Sequence, residues 1–348
     1  MPPFGRTLRN AYRELRSNYD DPRWRRGRIR DRIITPVHEH IYPTYDGAID
    51  VMAEDWDTLI VLDACRADLF EAYADVSTFD SYRRVTSNAS ATMEWAERTF
   101  STGRFGDTVC VTANPFISKR AGDSFHDLIE VWRDSFDEDE RTVLPGDVAV
   151  AAERAHREYP HKRIVVHFMQ PHYPFIGSDL RFEGWDPDGF ADGSGRKTIH
   201  TPWDALQHGL VDLDSVWTAY GENLAHALPA VTDLVATIEG RCVITSDHGN
   251  GIGERAWPIP IRVYGHPEGI RTRGLTTVPW AVVENSSRRA ITDGPINAAG
   301  SVSEQAAERL AALGYGEYIA RCAPTHIVSA SGFSTRPTRA GTNAFQEV

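Results

Sequence analysis

Lysine is almost absent from this chain: Lys119, Lys162 and Lys197 are the only three among 37 basic residues, so arginine carries nearly all the positive charge. The 49 acidic residues bring the formal net charge to −12. An acidic surface of this kind stays soluble where salt screens its self-repulsion, as in a salt-adapted proteome. It also repels phosphate backbones, which argues against nucleic acid as a partner of the main body. Cysteine is scarce as well. Cys65, Cys110, Cys242 and Cys322 form no C-x-x-C pair, which excludes a zinc ribbon, thioredoxin chemistry and a disulfide framework. No window holds the ~18 uninterrupted apolar residues of a membrane helix, and "MPPFGRTLRN" lacks the apolar run of a signal peptide. A cytoplasmic location is expected. No internal repeat is visible.

What the chain does have is size. With 348 residues, 41% of them hydrophobic, it can bury one large core or two smaller ones. Three regions are expected: a basic N-terminal extension over 1–50, a catalytic domain over 51–325 and a C-terminal tail over 326–348, whose polar composition cannot build a core. The first forty residues carry ten arginines against five acids. They can dock on an acidic partner, lie peripherally on an anionic membrane, or pack on the protein's own acidic body.

Buried-strand signals alternate with helical stretches, the pattern of a mostly parallel α/β sheet. Strands are expected near 58–62, 163–169, 241–246 and 277–284. Helices are expected near 91–100, 145–159, 214–239 (broken or kinked at Pro229) and 303–315. Residues 177–204 are rich in Gly, Asp and Pro and read as a long loop or lid. Three of the strands run into polar candidates: Asp63; Gln170 and His172; Asp247 and His248. Ligands in such sheets bind beyond the carboxyl ends of the strands, so these loops can converge.

The segment "VITSDHGNGIGER" places a carboxylate and an imidazole side by side at a strand end, a donor pair suited to a divalent cation. Its glycines do not have the spacing of a dinucleotide fingerprint. "TSDHGNGIGE" resembles the metal-binding loop of the alkaline phosphatase superfamily, in its sulfatase-like and phosphoglycerol-transferase-like branches. Four further segments agree in order: "LIVLDACRADLF", "VHFMQPHYPF", "VYGHPEGIRTRGLTTVPWAVV" and "ERLAALGYGEY".

The resemblance implies an α/β, alkaline-phosphatase-like (sulfatase-like) three-layer sandwich with a mostly parallel central sheet. It implies Asp63, Asp247 and His248 as ligands of a divalent metal ion (Mn, Mg, Zn or Ca), one ion in the first instance, with a second left open that His266 would help to hold. The fourth ligand is then the nucleophile, with Thr92 at a helix start as first choice and Ser90 as second. His172 and His266 take catalytic and substrate-binding roles, and Arg66 is a substrate-binding or clamping residue. Neither Ser90 nor Thr92 is followed by the Pro and Arg of the sulfatase C/S-x-P-x-R motif. The expected activity is therefore a phosphoester hydrolase or phosphotransferase on phosphorylated glycan or lipid-linked substrates. A sulfate-ester hydrolase and a non-catalytic binding protein are the alternatives. His167, within a strand, reads as a core residue, and Cys65 as packing.

Overall fold

The computed structural model describes residues 28–41, 47–101, 103–182, 199–285 and 287–297, together with Arg16, Tyr19, Asp20 and Arg25. The expected helix near 303–315, the "ERLAALGYGEY" segment, the C-terminal tail, Cys322 and most of the 177–204 loop lie outside the described residues.

Seven strands form one sheet in the order β2-β11-β8-β1-β7-β3-β4. They are β1 (Thr58–Asp63), β2 (Ser81–Thr86), β3 (Phe105–Thr112), β4 (Phe125–Glu130), β7 (Arg163–Pro171), β8 (Arg241–Ser246) and β11 (Thr277–Glu284). The pairs β8–β1, β1–β7, β7–β3 and β3–β4 are parallel, whereas β11 runs antiparallel to both β8 and β2. Two small hairpins, β5 (Phe136–Asp137) with β6 (Thr142–Val143) and β9 (Gly251–Arg255) with β10 (Arg262–Gly265), lie outside this sheet.

Every residue of β1, "TLIVLD", is buried. A strand needs a continuous apolar run when helices cover both faces of its sheet, and period-two alternation divides the run between two cores. Ile60, Leu62, Val109, Val111, Ile164, Val166 and Ile244 face one cluster, where they meet Leu69 and Phe70 of α2 (Ala67–Tyr73) and Tyr220, Leu224 and Leu234 of α8 (Leu213–Thr237). Leu59, Val61, Cys110, Val165 and Val243 face the other, with Trp95, Ala96 and Phe100 of α3 (Thr92–Phe100) and Ile117 of α4 (Pro115–Ala121). The architecture is a three-layer α/β/α sandwich around a mostly parallel sheet.

The remaining helices are α1 (Thr35–Ile41), α5 (Val131–Asp134), α6 (Pro145–Glu158), α7 (Pro202–Gln207) and α9 (Arg273–Thr276). Capping chemistry sets several starts: Asn114 accepts from Phe116 N, Thr201 from Asp204 N and Asp212 from Ser215 N. Of the kink or break expected at Pro229, a break does not occur: α8 runs through it as one element. Proline costs the helix one N–H donor, but Leu224, Ala227, Val231 and Leu234 are buried on both sides of it, and that packing outweighs the lost bond.

His156 of α6 ties the opposite end of the sheet together. Its Nε2 lies 3.0 Å from Thr58 Oγ1, and Arg289 Nη1 donates to its Nδ1 at 2.6 Å. Burial, reinforced by the Arg289 charge, pushes the imidazole down to about 3 from 6.5. A folded pKa below the unfolded one means the stability is complete above about pH 6.5 and is lost as pH falls toward the folded value. At ~1.4 kcal/mol per pH unit, His156 accounts for roughly 2 kcal/mol lost between pH 6.5 and 5. Urea unfolding of His156→Gln is expected to show a flatter pH dependence than the parent over that interval. An identical slope would contradict the buried, neutral assignment.

Candidate active site

Four strand-end loops and one helix start meet at the carboxyl edge of the sheet. Asp63 ends β1, where the pairing with β7 slips between Leu62 and Asp63. The next residue, Ala64, sits at φ 60°, a left-handed conformation that costs a residue with a Cβ roughly 1–2 kcal/mol. Two bonds hold that turn: Ala64 N donates to Asp247 Oδ1 at 2.9 Å, and the Tyr220 hydroxyl donates to Ala64 O. Asp247 and His248 follow β8, and the chain then passes so close to α9 that a Cβ on Gly249 would lie 2.2 Å from Gly274 O.

Asp63, Asp247 and His248 are fully buried, and one ligand atom from each lies within 4.8 Å of the others. His248 Nδ1–H donates to Gly249 O at 2.9 Å, which leaves the Nε2 lone pair facing the cluster, 3.4 Å from Asp247 Oδ2 and 3.9 Å from Asp63 Oδ1. Thr92, the first residue of α3, completes the group. Its Oγ1 lies 3.1 Å from His248 Nε2 and 3.3 Å from Asp63 Oδ1. Burial and the neighbouring Asp247 charge raise Asp63 well above the usual carboxylate range. Burial also pushes Asp247 upward, but the neighbouring His248 and His167 imidazoles and the Ala64 N–H outweigh it and hold this carboxyl below its usual value.

The donor set fits a divalent cation. Asp247 Oδ2 is buried with no hydrogen-bond partner, and two carboxylates face each other with no lysine or arginine paired to either among the described residues. Buried charge in that state is costly unless a counter-ion is present.

His172 follows β7 and His266 follows β10; their Nε2 atoms lie 2.9 Å apart. The His266 ring is 4.9 Å from those of both His172 and His248. His172 Nδ1–H donates to Tyr173 O, so the proton between the two Nε2 atoms belongs to His266. Burial, then the nearby His248 imidazole, pushes His172 down to about 4, and burial with both neighbouring imidazoles lowers His266 well below its usual value. The pair is neutral at pH 7.

Arg66 is placed differently from a substrate clamp. Its Nε and Nη2 bind Asp68 at 2.8 and 2.7 Å, and its Nη1 donates to Asn250 O at 2.7 Å and to Glu254 Oε1 at 2.5 Å. Those bonds tie the start of α2 to the loop after His248. Ser90 donates to Glu94 Oε2 and Pro267 O at 3.1 and 3.0 Å, and so fastens the His266 loop to α3. Burial raises the Cys65 thiol well above its ordinary pKa, which keeps it protonated.

Three contributors escaped the sequence reading. Asn114 Nδ2 donates to Asp63 Oδ2 at 2.6 Å while its Oδ1 caps α4; the Asn-Pro step before a helical run was the available signal. Glu94 accepts from Ser90 N and Gly269 N. His167, read as core, is indeed fully buried, but its Nε2 lies 3.8 Å from Asp247 Oδ2.

No protein-family model matches the chain, and no curated protein does. Solved structures do. The chain is similar to the C-terminal periplasmic domain of phosphoethanolamine transferase EptC from Campylobacter jejuni, with 15% identity over 66% of this chain and 78% of that one and a TM-score of 0.44. It is similar to a protein in the alkaline phosphatase superfamily from Vibrio parahaemolyticus (9% identity, 77% and 68% covered, TM-score 0.40). It is also similar to the lipoteichoic acid synthase LtaP from Listeria monocytogenes (10% identity, 74% and 72% covered, TM-score 0.38).

Outer groups that orient a ligand typically carry 10- to 100-fold of metal affinity. Asn114→Ala is therefore expected to weaken Mn²⁺ or Zn²⁺ binding by about that factor in a calorimetric titration. Unchanged affinity in a folded variant would remove Asn114 from the site's support.

Proposed function

We propose that this protein is a metal-dependent enzyme acting on phosphate esters, with Thr92 as its nucleophile. One observation carries the reading: the Thr92 hydroxyl stands at the start of a helix and within reach of both a buried carboxylate and a buried imidazole of the cation site.

Asp63, Asp247, His248 and Thr92 would hold a divalent ion, which would lower the pKa of the Thr92 hydroxyl and offset charge on the phosphoryl oxygens. The chain's own groups do the rest. No side chain caps α3, so the N–H groups of its first turn remain for an anion, and the helix dipole favours negative charge there. Thr92 Oγ1, its proton released to solvent, attacks phosphorus; its bond to phosphorus forms as the ester P–O bond breaks, and the group rests as phosphothreonine. The His172–His266 pair, once it has taken up a proton, is the acid for the departing oxygen. The negative charge of an arriving phosphoryl group reverses the desolvation that otherwise keeps the His172–His266 pair neutral. Water or an acceptor alcohol then attacks the phosphothreonine, and Thr92 leaves. Water makes the protein a hydrolase and an alcohol makes it a phosphotransferase.

Turnover of aryl phosphomonoesters and phosphodiesters, measured in high salt with added Mn²⁺ or Zn²⁺, is expected to fall roughly 10³-fold or more in Thr92→Ala. A Thr92→Ser variant, which keeps the hydroxyl, is expected to retain part of the rate. Full activity in Thr92→Ala would overturn the nucleophile assignment.

A further inference from the structure

The hairpin β9–β10 ends in an unusual tip, "AWPIPI", residues 256–261. Trp257 is 68% exposed, the most exposed large hydrophobic side chain among the described residues. Arg255 and Arg262 face each other at the neck of the tip, and both are exposed. The base of the hairpin joins the N-terminal segment in a small core of its own, in which Ile34 packs with Ala256, Val263, Ile270 and Leu275, and Ile259 and Ile261 lie against them. Ile33 and Trp257 are thus the exposed sequence neighbours of two residues, Ile34 and Ala256, that share one cluster.

The N-terminal segment repeats the same chemistry. Ile29 and Ile33 are 45% and 52% exposed, and Arg25 and Arg32 are exposed as well. Ile34, in contrast, is buried against the hairpin, and His38 Nδ1 accepts from Arg271 N at 3.2 Å in the loop that carries His266. Exposed isoleucines and an exposed tryptophan interleaved with arginines are the pattern of an interfacial anchor rather than of an ordinary solvated face. The local positive charge is notable in a chain whose net charge is −12. The nearby acid Glu254 is engaged by Arg66.

We infer that the Trp257 hairpin tip and the exposed Arg25, Ile29, Arg32 and Ile33 of the N-terminal segment form a docking surface for an anionic lipid bilayer. Trp257, Ile29 and Ile33 enter the headgroup region while the arginines meet lipid phosphates. Charge complementarity selects this occupant: an acidic protein is repelled by an anionic membrane everywhere except at such a patch. The surface stands apart from the catalytic groups, so the inference holds whether or not Thr92 is the nucleophile. No helix among the described residues is long and apolar enough to cross a membrane, and surface docking does not require one.

The test is co-sedimentation of the full chain with phosphatidylcholine vesicles, with and without phosphatidylglycerol, at two salt concentrations. Binding is expected only to the phosphatidylglycerol vesicles, and it should weaken as salt rises. Trp257→Ser and the combined Arg25→Gln, Arg32→Gln variant are each expected to bind about tenfold more weakly with an unchanged melting temperature. Binding to neutral and anionic vesicles alike, no binding, or variants that bind like the parent would overturn the inference. So would self-association in sedimentation velocity that the same substitutions abolish, since the patch would then be an interface between two copies.

Discussion

Two buried carboxylates, paired with no lysine or arginine among the described residues, dictate the arrangement of this molecule's functional edge. Asp63 and Asp247 come from adjacent parallel strands, and each is fully buried. Bringing them together costs desolvation and mutual repulsion, so the surrounding structure is built to hold them there. Ala64 accepts a left-handed conformation, Tyr220 and Asp247 pin its peptide, Asn114 donates to Asp63, and the Ser87 hydroxyl donates to Asp247 O. A cation would offset that cost, and the Thr92 hydroxyl and His248 Nε2 lie beside the pair.

The site is an assembly of elements far apart in the chain, and the sheet order is what joins them. Strands β8, β1, β7 and β3 are consecutive neighbours, so their carboxyl ends deliver Asp247 and His248, Asp63, His172 and Asn114 to one edge. Helix α3 brings Thr92 from the face of the sheet that packs on Trp95 and Phe100. Glu94 and Ser90 then fasten α3 to the loop bearing His266. The clamp formed by Arg66 across Asp68, Asn250 and Glu254 closes the opposite side, which is why its guanidinium has a structural duty.

Much of this was legible in the sequence because of a physical regularity. Central parallel strands must be apolar throughout, so "TLIVL", "IVV" and "CVIT" stand out, and the first polar residues after such runs are candidates for the edge. Asp63, Asp247, His248 and His172 were accessible in that way. Thr92 was not; only the motif resemblance pointed to it. Strands β2, β3 and β4 were missed because "SYRRVT" is a half-exposed edge, "FGDTVCVT" is interrupted by polar residues, and "FHDLIE" carries its acids on the rim. Asn114 and His167 were overlooked for a related reason. Their importance comes from which strand lies beside which, and the pairings of β3 and β1 with β7 are long-range facts with no local trace.

The central claim is that Asp63, Asp247, His248 and Thr92 together hold one divalent cation. The most direct measurement is anomalous diffraction at the metal absorption edge from crystals grown with Zn²⁺ or Mn²⁺. The account predicts a single strong peak within about 2.0–2.3 Å of donor atoms from all four residues. A peak elsewhere, or none at this cluster while the crystals contain the metal, would contradict it.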